Sequence, residues 1–276
     1  MIRARILFIV AAEGVPERLL TSGAIMPGRQ DRDRSGREEP PGEPGGSGAA
    51  GGAGRLVVVA TPIGNLEDLS PRARRAFETA DLVACEDTRR TGLLLSGLGV
   101  KRPLVSLHEH NERQRLPRLL DALAAGQTVA LASDAGTPLV SDPGFLLVRE
   151  AAARGVVVEP VPGPSALLAA LVASALPPHP FTFCGFPPPK QGKRRSFYGR
   201  FAELPHTLVF FESPHRLRAS LADAVSVLGA DRPAALAREL TKLHEEVLRG
   251  TLGEILEQVE ALSSVKGELV LVVGGS

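Results

Sequence analysis

The sequence predicts an α/β protein with two α/β domains and a ligand-binding cleft between them. From Arg55 onward, short runs rich in valine and leucine alternate with helical stretches. These runs are apolar on both faces, which is typical of parallel strands covered by helices on each side. A proline-rich segment, Leu176 to Pro180, interrupts the alternation and marks a domain junction. Alternating strands and helices favour right-handed crossovers, and therefore a doubly wound sheet.

The predicted elements follow in chain order. The N-terminal α/β domain, 55–177, contains strands near 56–60, 82–85, 104–107, 128–132 and 156–161, and helices near 71–79, 88–97, 112–125, 143–154 and 164–174. The C-terminal α/β domain, 178–276, contains strands near 181–185, 207–212, 234–238 and 268–273, and helices near 193–203, 214–228 and 251–262. Because a ligand commonly binds where two domains meet, we expect the site between them.

Composition limits the functional classes. The chain has 276 residues and is 43% hydrophobic, which is enough to bury a substantial core. Its 32 Lys and Arg residues nearly balance its 31 Asp and Glu residues, so any RNA contact must be a local patch. Cys85 and Cys184 lie far apart and outside any CxxC motif. This spacing argues against a zinc site or a disulfide framework, and it favours a reducing, cytoplasmic environment.

The first 54 residues are predicted to be a disordered leader, because 31–54 is rich in glycine, proline and charged residues. Residues 1–12 resemble a signal peptide only faintly, since no clear cleavage site follows them. A start at Met26 is a hypothesis. No apolar run approaches the ~20 residues that span a bilayer, so we expect no membrane association.

The loop after the first strand, 60–69, is the most informative segment. It contains one glycine and no lysine, so it matches neither a dinucleotide fingerprint nor a P-loop. Ser70 followed by Pro71 is typical of a helix start. A ligand bound here needs a rigid turn and little phosphate neutralisation.

Three further turns follow predicted strands. We interpret 133–138 as a ligand-binding turn, since its small residues admit a ligand and Asp134 could accept from a hydroxyl or an ammonium group. In 141–144 we expect Asp142 to cap a helix that begins at Pro143. The turn 161–166 either offers the free N–H groups of a helix start or is only a rigid turn.

Charged clusters end other strands. Glu86 and Asp87 are candidate bases, although Asp87 or Thr88 could simply cap the next helix. His108 and His110 would face the same way on a strand, but no third ligand stands at a familiar spacing, so we expect no metal. The basic run 190–195 is either a solvated helix start or an RNA contact.

Two clusters belong to the second domain. Ser213 and His215 lack the G-x-S-x-G frame of a hydrolase elbow, so we expect Ser213 to cap a helix that begins at Pro214. The other cluster is 237–242. A glycosidase-like pairing of Glu212 with Glu239 stays open.

Together these segments resemble one family, the 16S rRNA cytidine 2′-O-ribose methyltransferases of the RsmI type, a branch of the tetrapyrrole methylase superfamily. The motifs that carry the resemblance cover nearly all of 55–273, and they are Thr61–Leu66, Glu86–Arg89, His108–Glu112, Ser133–Pro138, Asp142–Gly144, Pro162–Pro164, Glu212–Leu217 and Ala237–Lys242. The chain departs from some relatives in stopping after the last strand, without a helical tail.

The resemblance implies S-adenosylmethionine as the methyl donor, a homodimer, and 16S rRNA of the 30S subunit as the partner. The donor-binding residues it implies are Pro62, Asp134, Ala135, Gly136, Thr137, Ser165, Ala166, Gly185, Phe186 and Ala237. Candidate bases for the ribose hydroxyl are Glu86, Asp87 and Glu239, with Lys242 as an alternative if its amine is deprotonated. Candidate phosphate contacts are Arg89, Lys190, Lys193, Arg194 and Arg195.

Three rival functions stay open. One is methylation of a small tetrapyrrole or of a modified histidine. Another is a ribosome-assembly factor that binds without turnover. The third is a sugar hydrolase that uses paired carboxylates.

Overall fold

The computed structural model describes residues 54–276, so the predicted leader, apart from the buried Gly54, and the hypothetical start at Met26 lie outside the described residues. The first half of this part contains five strands, β1 (Arg55–Val59), β2 (Leu82–Cys85), β3 (Leu104–Ser106), β4 (Thr128–Ala132) and β5 (Val157–Val161). It also contains five helices, α1 (Pro71–Thr79), α2 (Thr88–Gly97), α3 (Glu112–Ala124), α4 (Phe145–Ala153) and α5 (Ala166–Ala173).

The first sheet is parallel throughout, with strand order β3-β2-β4-β1-β5. Adjacent strands β1 and β4 send the chain in opposite directions across the sheet, β1 toward β2 and β4 toward β5. Between two such strands an open α/β sheet leaves a crevice at its carboxyl edge. The loops that follow β1 and β4 are therefore placed by topology at the ligand position.

Both faces of this sheet are buried, as the apolar strand sequences predict. On one face, Leu56, Val129 and Leu131 pack with leucines of α3 and with Leu147 of α4. On the other, Val57 and Val83 pack around the fully buried Phe77 of α1. The two clusters hold the strands rigidly, so that their carboxyl-edge loops start from fixed positions.

The second half contains five strands and three helices. The strands are β6 (Phe181–Gly185), β7 (Thr207–Glu212), β8 (Pro233–Arg238), β9 (Glu246–Thr251) and β10 (Leu269–Val273), and the helices are α6 (Gln191–Gly199), α7 (Leu217–Leu228) and α8 (Leu252–Ala261). Their sheet has the order β6-β7-β10-β8-β9. Only β6 and β7 are parallel, whereas β10 pairs antiparallel with β7 and β8.

The second sheet is covered on both faces by different parts of the chain. On one face, Tyr198, Phe210 and Leu271 form a core with α7 and α8. On the other, Val270 and its neighbours pack against Ile63 and against α5, which comes from the first half of the chain. Because α5 and Ile63 belong to this second core, the division at residue 177 stays a prediction.

Several predicted elements differ from the observed ones. Strand β9 is missing from the prediction, because its sequence EVLRGT lacks an apolar run and pairs with β8 as an edge strand. The helix predicted from Pro143 begins at Phe145, and its N-cap is Gly144 rather than Asp142. The helix predicted from Pro214 begins at Leu217 and has no side-chain cap, so the expected Ser213 cap is wrong. The caps Ser70 and Asp87 are confirmed.

Candidate functional site

The loops after β1 and β4 are joined to each other at the carboxyl edge of the first sheet. Thr61 N donates to Gly136 O at 2.9 Å, and Gly136 N donates to Thr61 O at 3.0 Å. The Thr61 hydroxyl also donates to Ser133 O. Gly136 has φ 78, a left-handed conformation that favours glycine. The predicted ligand turn is therefore fixed to the loop that lacks phosphate-binding features.

Gly64 lets the loop after β1 approach the second half of the chain closely. A Cβ at position 64 would lie 2.3 Å from Lys242 Cγ and 2.9 Å from the Thr241 hydroxyl oxygen. A side chain at this position would have to displace the side chains of Lys242 and Thr241, and it would press on Leu240 O at 3.1 Å. The loop after β1 thus packs closely against the 240–242 segment of the second half beside the candidate site.

The loops on both sides of this contact are strained. Leu139 and Ser141 have φ near +70°, and across the contact Glu239 and Thr241 have φ of 50 and 66. Such conformations cost about 1–3 kcal/mol each in non-glycine residues and concentrate at binding sites. Their presence in both loops indicates that a particular loop shape is held at the expense of stability.

A cavity of about 400 Å³ lies between the two sheets, within the size range of ligand sites. Its walls are Ile63, Ala135, Gly136, Thr137, Val140, Ser141, Asp142, Ser165, Ala166, Phe186, Phe211, Glu212, Ser213, Pro214, Gly267, Glu268, Leu269 and Val270. We call it the first cavity. Among these described residues there is no Lys, Arg or His, whereas three are carboxylic acids. The lining suits a cationic ligand with an apolar or aromatic part better than a phosphorylated one.

Two phenylalanines form the aromatic part of the wall. Phe186 and Phe211 have ring centroids 5.4 Å apart, and Phe183 packs edge-on against Phe211. Half of the Phe186 side chain is exposed. A flat heteroaromatic group could therefore stack against it.

Six of the ten predicted donor-binding residues line this cavity: Ala135, Gly136, Thr137, Ser165, Ala166 and Phe186. The Ser165 hydroxyl accepts from Leu168 N and caps α5, so it starts a helix at the cavity wall. Thr137 donates its hydroxyl to Pro164 O at 3.1 Å, which ties the turn after β4 to the turn before α5.

Three of the other four predicted donor residues lie beside or behind the wall. Pro62 is half-buried between Thr61 and the lining residue Ile63. Gly185, with φ 75, ends β6 at a bulge and faces the Ser141 hydroxyl. Ala237 is buried in β8, in the same core cluster as Ile63 and Val270, and it supports the wall from behind.

Asp134 has a different place from the one predicted. Its carboxylate accepts from Asp87 N at 3.0 Å and lies 3.5 Å from Arg90. It therefore joins the turn after β4 to the start of α2. The structure does not bring Asp134 into the lining of the first cavity.

Three of the four candidate bases are poorly suited to accept a proton. Hydrogen bonds from Arg89 hold the pKa of the Asp87 carboxyl far below its usual range. Hydrogen bonds from Lys242 and from Glu268 N lower the pKa of Glu239. Burial lowers the pKa of Lys242, but its bonds to Glu239 and Glu268 raise that pKa by more than burial lowers it. The net shift is upward, so the amine stays protonated.

Glu86 is the exception among the predicted bases. Burial, and then the negative charge of Asp134, raise the pKa of its carboxyl. The structure adds a fifth candidate, Asp142, whose pKa rises to about 6 because of burial and the charge of Glu86. A base works better when its pKa lies closer to the working pH than that of an ordinary carboxyl, so the upward shifts at Glu86 and Asp142 favour these two for the role.

A second cavity, of about 500 Å³, adjoins the first. Its lining residues are Glu86, His108, Glu109, His110, Glu112, Ser141, Asp142, Pro143 and Phe145. Of the described residues, only Ser141 and Asp142 line both cavities. Sequence reasoning assigned Asp142 to a helix cap and overlooked Phe145. The available signal was that 141–144 belongs to the same long loop after β4 as the predicted ligand turn 133–138.

The basic residues predicted for RNA contact divide into two groups. Lys190, Lys193 and Arg89 are exposed, and Arg195 is half-exposed beside Asp223. Arg194 is a correction, because its side chain is only 5% exposed and its guanidinium bonds to Asp223, Pro189 O and Ala219 O. It has no free edge for a phosphate group.

The two histidines, which we expected to face the same way on a strand without binding a metal, lie elsewhere. His108 and His110 lie in the turn after β3, not on a strand, and their ring centroids are 6.0 Å apart in an edge-to-face arrangement. Within residues 54–276, no group of three or more His, Cys, Asp or Glu side chains is arranged to hold a metal ion. None of the helices in the described range has the length and apolarity needed to cross a bilayer.

Comparison with protein families gives a match to the tetrapyrrole (corrin/porphyrin) methylases over residues 55–256. The chain belongs to this family. The family prediction, the α/β fold class and the methyltransferase activity are thereby confirmed. The cavity between the two sheets is accordingly the candidate active site of a methyltransferase.

Curated relatives are similar over most of their length. Ribosomal RNA small subunit methyltransferase I of Xylella fastidiosa is 51% identical over 81% of this chain and 82% of its own. The protein of the same name from Mesorhizobium japonicum is 52% identical over 79% of this chain and 74% of its own. That from Escherichia coli O157:H7 is 48% identical over 80% and 78%.

Solved structures show the same fold at lower identity. Uroporphyrin-III C-methyltransferase from Thermus thermophilus, complexed with S-adenyl homocysteine, has a TM-score of 0.55 at 22% identity, over 80% of this chain and 97% of its own. Diphthine synthase has a TM-score of 0.60 at 18% identity, over 80% and 89%. At these identities the likeness concerns the fold alone.

Proposed function

We propose that this methyltransferase binds S-adenosylmethionine in the first cavity and methylates a cytidine ribose 2′-oxygen in the decoding region of 16S rRNA. The observation that carries the proposal is the lining of that cavity in a chain about half identical to small-subunit rRNA methyltransferases. A tetrapyrrole substrate is suggested by the family description and by structures under 25% identical, whereas the curated relatives that are about half identical are all named for small-subunit rRNA.

The residues present fit S-adenosylmethionine. When bound, this molecule supplies an electrophilic methyl group on a positively charged sulfur. Asp142, Glu212 and Glu268 favour a cation over an anion in the cavity, and the Phe186 ring offers a stacking surface. Tyr198 and Ser220 donate hydrogen bonds to Glu212, which fixes that carboxyl in the wall.

The chain contributes mainly positioning. Holding two reactants in the correct orientation supplies a large share of the barrier reduction in such a transfer. The Thr61–Gly136 bridge and the Thr137–Pro164 hydrogen bond fix three wall segments relative to each other. A wall that does not rearrange on binding preserves that orientation.

Lys190, Lys193, Arg195 and Arg89 are proposed to contact the RNA backbone, since their side chains are exposed. We also propose that the protein acts in the cytoplasm as a homodimer. Exposed Leu168 and Val172 lie one turn apart on α5, a surface of the kind that a dimer buries. Light scattering of the purified protein measures this state directly.

The test of the function is methyl transfer from labelled S-adenosylmethionine to 30S subunits that lack this modification. The proposal expects label that nuclease digestion and mass spectrometry recover as 2′-O-methylcytidine. Label on a base, or donor binding without transfer, contradicts it. The second outcome would instead match a non-catalytic assembly factor.

A further inference from the structure

Resting on the proposed function, we infer that the second cavity receives the acceptor cytidine, with Phe145 stacking on the base and Asp142 taking the proton of the 2′-hydroxyl. The inference names the residues that bind and activate the acceptor. It does not follow from the donor site alone.

The two cavities share part of their lining. The donor methyl group and the acceptor oxygen must meet, so a residue that serves the transfer has to border both ligands. Of the described lining residues, only Ser141 and Asp142 do so. A serine hydroxyl is too weakly basic to accept the proton unaided. Asp142 is the group left at the junction.

The second cavity contains an exposed aromatic ring. Phe145 is 60% exposed, although it is the first residue of a helix that packs on the sheet. The Arg149 guanidinium lies 5.9 Å from the ring centroid, on the same helix. Stacking on an aromatic side chain is a common way of binding an unpaired base, worth ~1–3 kcal/mol per base.

The rest of this cavity is mostly polar. His108 Nδ1 is buried and has no hydrogen-bond partner within residues 54–276. Glu86 offers carboxylate oxygens, the acceptors that pair with the exocyclic amine of cytosine. These groups match a nucleoside better than an apolar ligand.

The chain also fixes the position of this cavity's wall. Glu112, buried at the start of α3, accepts from Leu146 N and Leu147 N at 2.9 and 3.3 Å and so caps α4. Gly144, with φ 114, sits where a Cβ would lie 2.7 Å from a Leu131 side-chain carbon. Both features determine where Phe145 and Asp142 stand.

The 2′-oxygen forms a bond to the methyl carbon while the carbon–sulfur bond breaks and its electron pair stays on sulfur. The hydroxyl proton moves to the Asp142 carboxylate and from there to water. The pKa of Asp142, near 6, leaves the carboxylate ionised at neutral pH and still basic enough to help.

The charged and titratable groups around Asp142 come from several elements. They are Glu86, Asp134, His108, Glu109, His110 and Glu112 on the side of the second cavity, with Glu212 and Glu268 lining the first. Most of these groups are acidic, and within residues 54–276 the Asp142 carboxylate forms no ion pair that would weaken it as a base.

The experiment compares Phe145→Leu and Asp142→Asn with the matched controls Phe181→Leu and Asp231→Asn, whose side chains are exposed elsewhere. Donor affinity is measured by calorimetry, RNA affinity by filter binding, and kcat and KM on 30S subunits across pH 5–9. Phe145→Leu should weaken RNA binding or raise KM at least about fivefold with donor affinity unchanged. Asp142→Asn should lower kcat about 10²–10⁴-fold and remove the fall in rate below pH ~6.

The controls should match the unaltered protein in every readout. If both cavity variants keep normal RNA affinity, KM and kcat while the unaltered protein methylates the subunit, the inference fails and the proposed function stands. If the unaltered protein binds no S-adenosylmethionine, the proposed function itself fails. A drop in kcat for Asp142→Asn with an unchanged pH profile would also overturn the proton-accepting role.

Discussion

Replacing Arg194 by alanine should destabilise the protein without altering its affinity for RNA. The guanidinium donates to Asp223 through Nε at 2.8 Å and Nη2 at 2.6 Å, and the two side chains are 5% and 2% exposed. Removing one partner of a buried ion pair costs ~3–5 kcal/mol, because the other charge stays buried. Burial raises the pKa of Asp223, but hydrogen bonds from Arg195 and Arg194 lower that pKa by more than burial raises it. The net shift is downward, so the carboxylate is charged at neutral pH.

The magnitude falls at the lower end of that range. Arg195 Nε still donates to Asp223 at 2.7 Å in the variant, and Gln191 lies within 3.4 Å. We therefore expect a loss of ~3 kcal/mol in the free energy of unfolding. For a domain of this size this corresponds to a melting temperature ~6–12 °C lower.

The assay is urea unfolding at pH 7, with Lys193→Ala as the matched control on the same helix. Lys193 is exposed, so that variant should change stability by less than ~0.5 kcal/mol but reduce the salt dependence of RNA binding by ~1. The double variant Arg194→Met with Asp223→Leu should recover most of the loss. An Arg194→Ala protein as stable as the unaltered one, or with weaker salt dependence, would refute the reasoning.

Three further predictions concern the walls of the two cavities. Asp142→Asn should become ~1–2 kcal/mol more stable relative to the unaltered protein as pH rises from 4 to 7. The unaltered protein loses stability over this interval because the pKa of Asp142 is about 6 when folded against 3.8 when unfolded, and the ~3 kcal/mol expected for full burial is reduced because the carboxyl is partly exposed. Parallel curves of unfolding free energy against pH would contradict this prediction. Glu112→Ala should lower the free energy of unfolding by ~2 kcal/mol, because two N–H groups of α4 lose their acceptor. Glu112→Gln should lower it by less than ~1 kcal/mol, and thermal unfolding measures both losses. Equal losses in the two variants would contradict the capping role. Gly64→Ala should weaken donor binding about tenfold or more in calorimetry, because a Cβ collides with Lys242, whereas Gly97→Ala, with open space around it, should bind normally.

The first sheet was predictable because its strands are buried on both faces. Valine and leucine runs such as Leu56–Val59 have no polar alternation, and the helices between them are capped by residues such as Ser70 and Asp87. The order of the strands could not be read in the same way. No local feature of the β4 sequence predicts that this strand lies between β1 and β2.

The second sheet was less predictable because its pairing is mixed. β9 has polar residues and glycine in an edge strand, so its apolar signal is weak, and only pairing with β8 fixes it. α5 reads as a helix of the first half, yet it packs on the second sheet. Contacts of this kind depend on tertiary structure rather than on periodicity.

The site was predictable where it consists of loops after strands, and not where it depends on charge environment. Ala135, Gly136 and Thr137 line the cavity as expected. The sequence could not distinguish Arg194, which is buried, from exposed Lys193 one position away, because the helix face that packs is set by α7. The sequence likewise did not indicate that Gly144 is the N-cap of α4 and that Asp142 is not.

We propose that the methyl donor binds between the two sheets. Calorimetry of donor binding to a variant with a blocked first cavity tests this most directly. Ala166→Trp places a large side chain in the wall of the first cavity, while Ala153→Trp places the same side chain at the exposed end of α4. S-Adenosylmethionine should bind the unaltered protein and Ala153→Trp equally, and Ala166→Trp at least tenfold more weakly at similar thermal stability. Equal affinity for all three proteins would place the donor elsewhere and contradict the account.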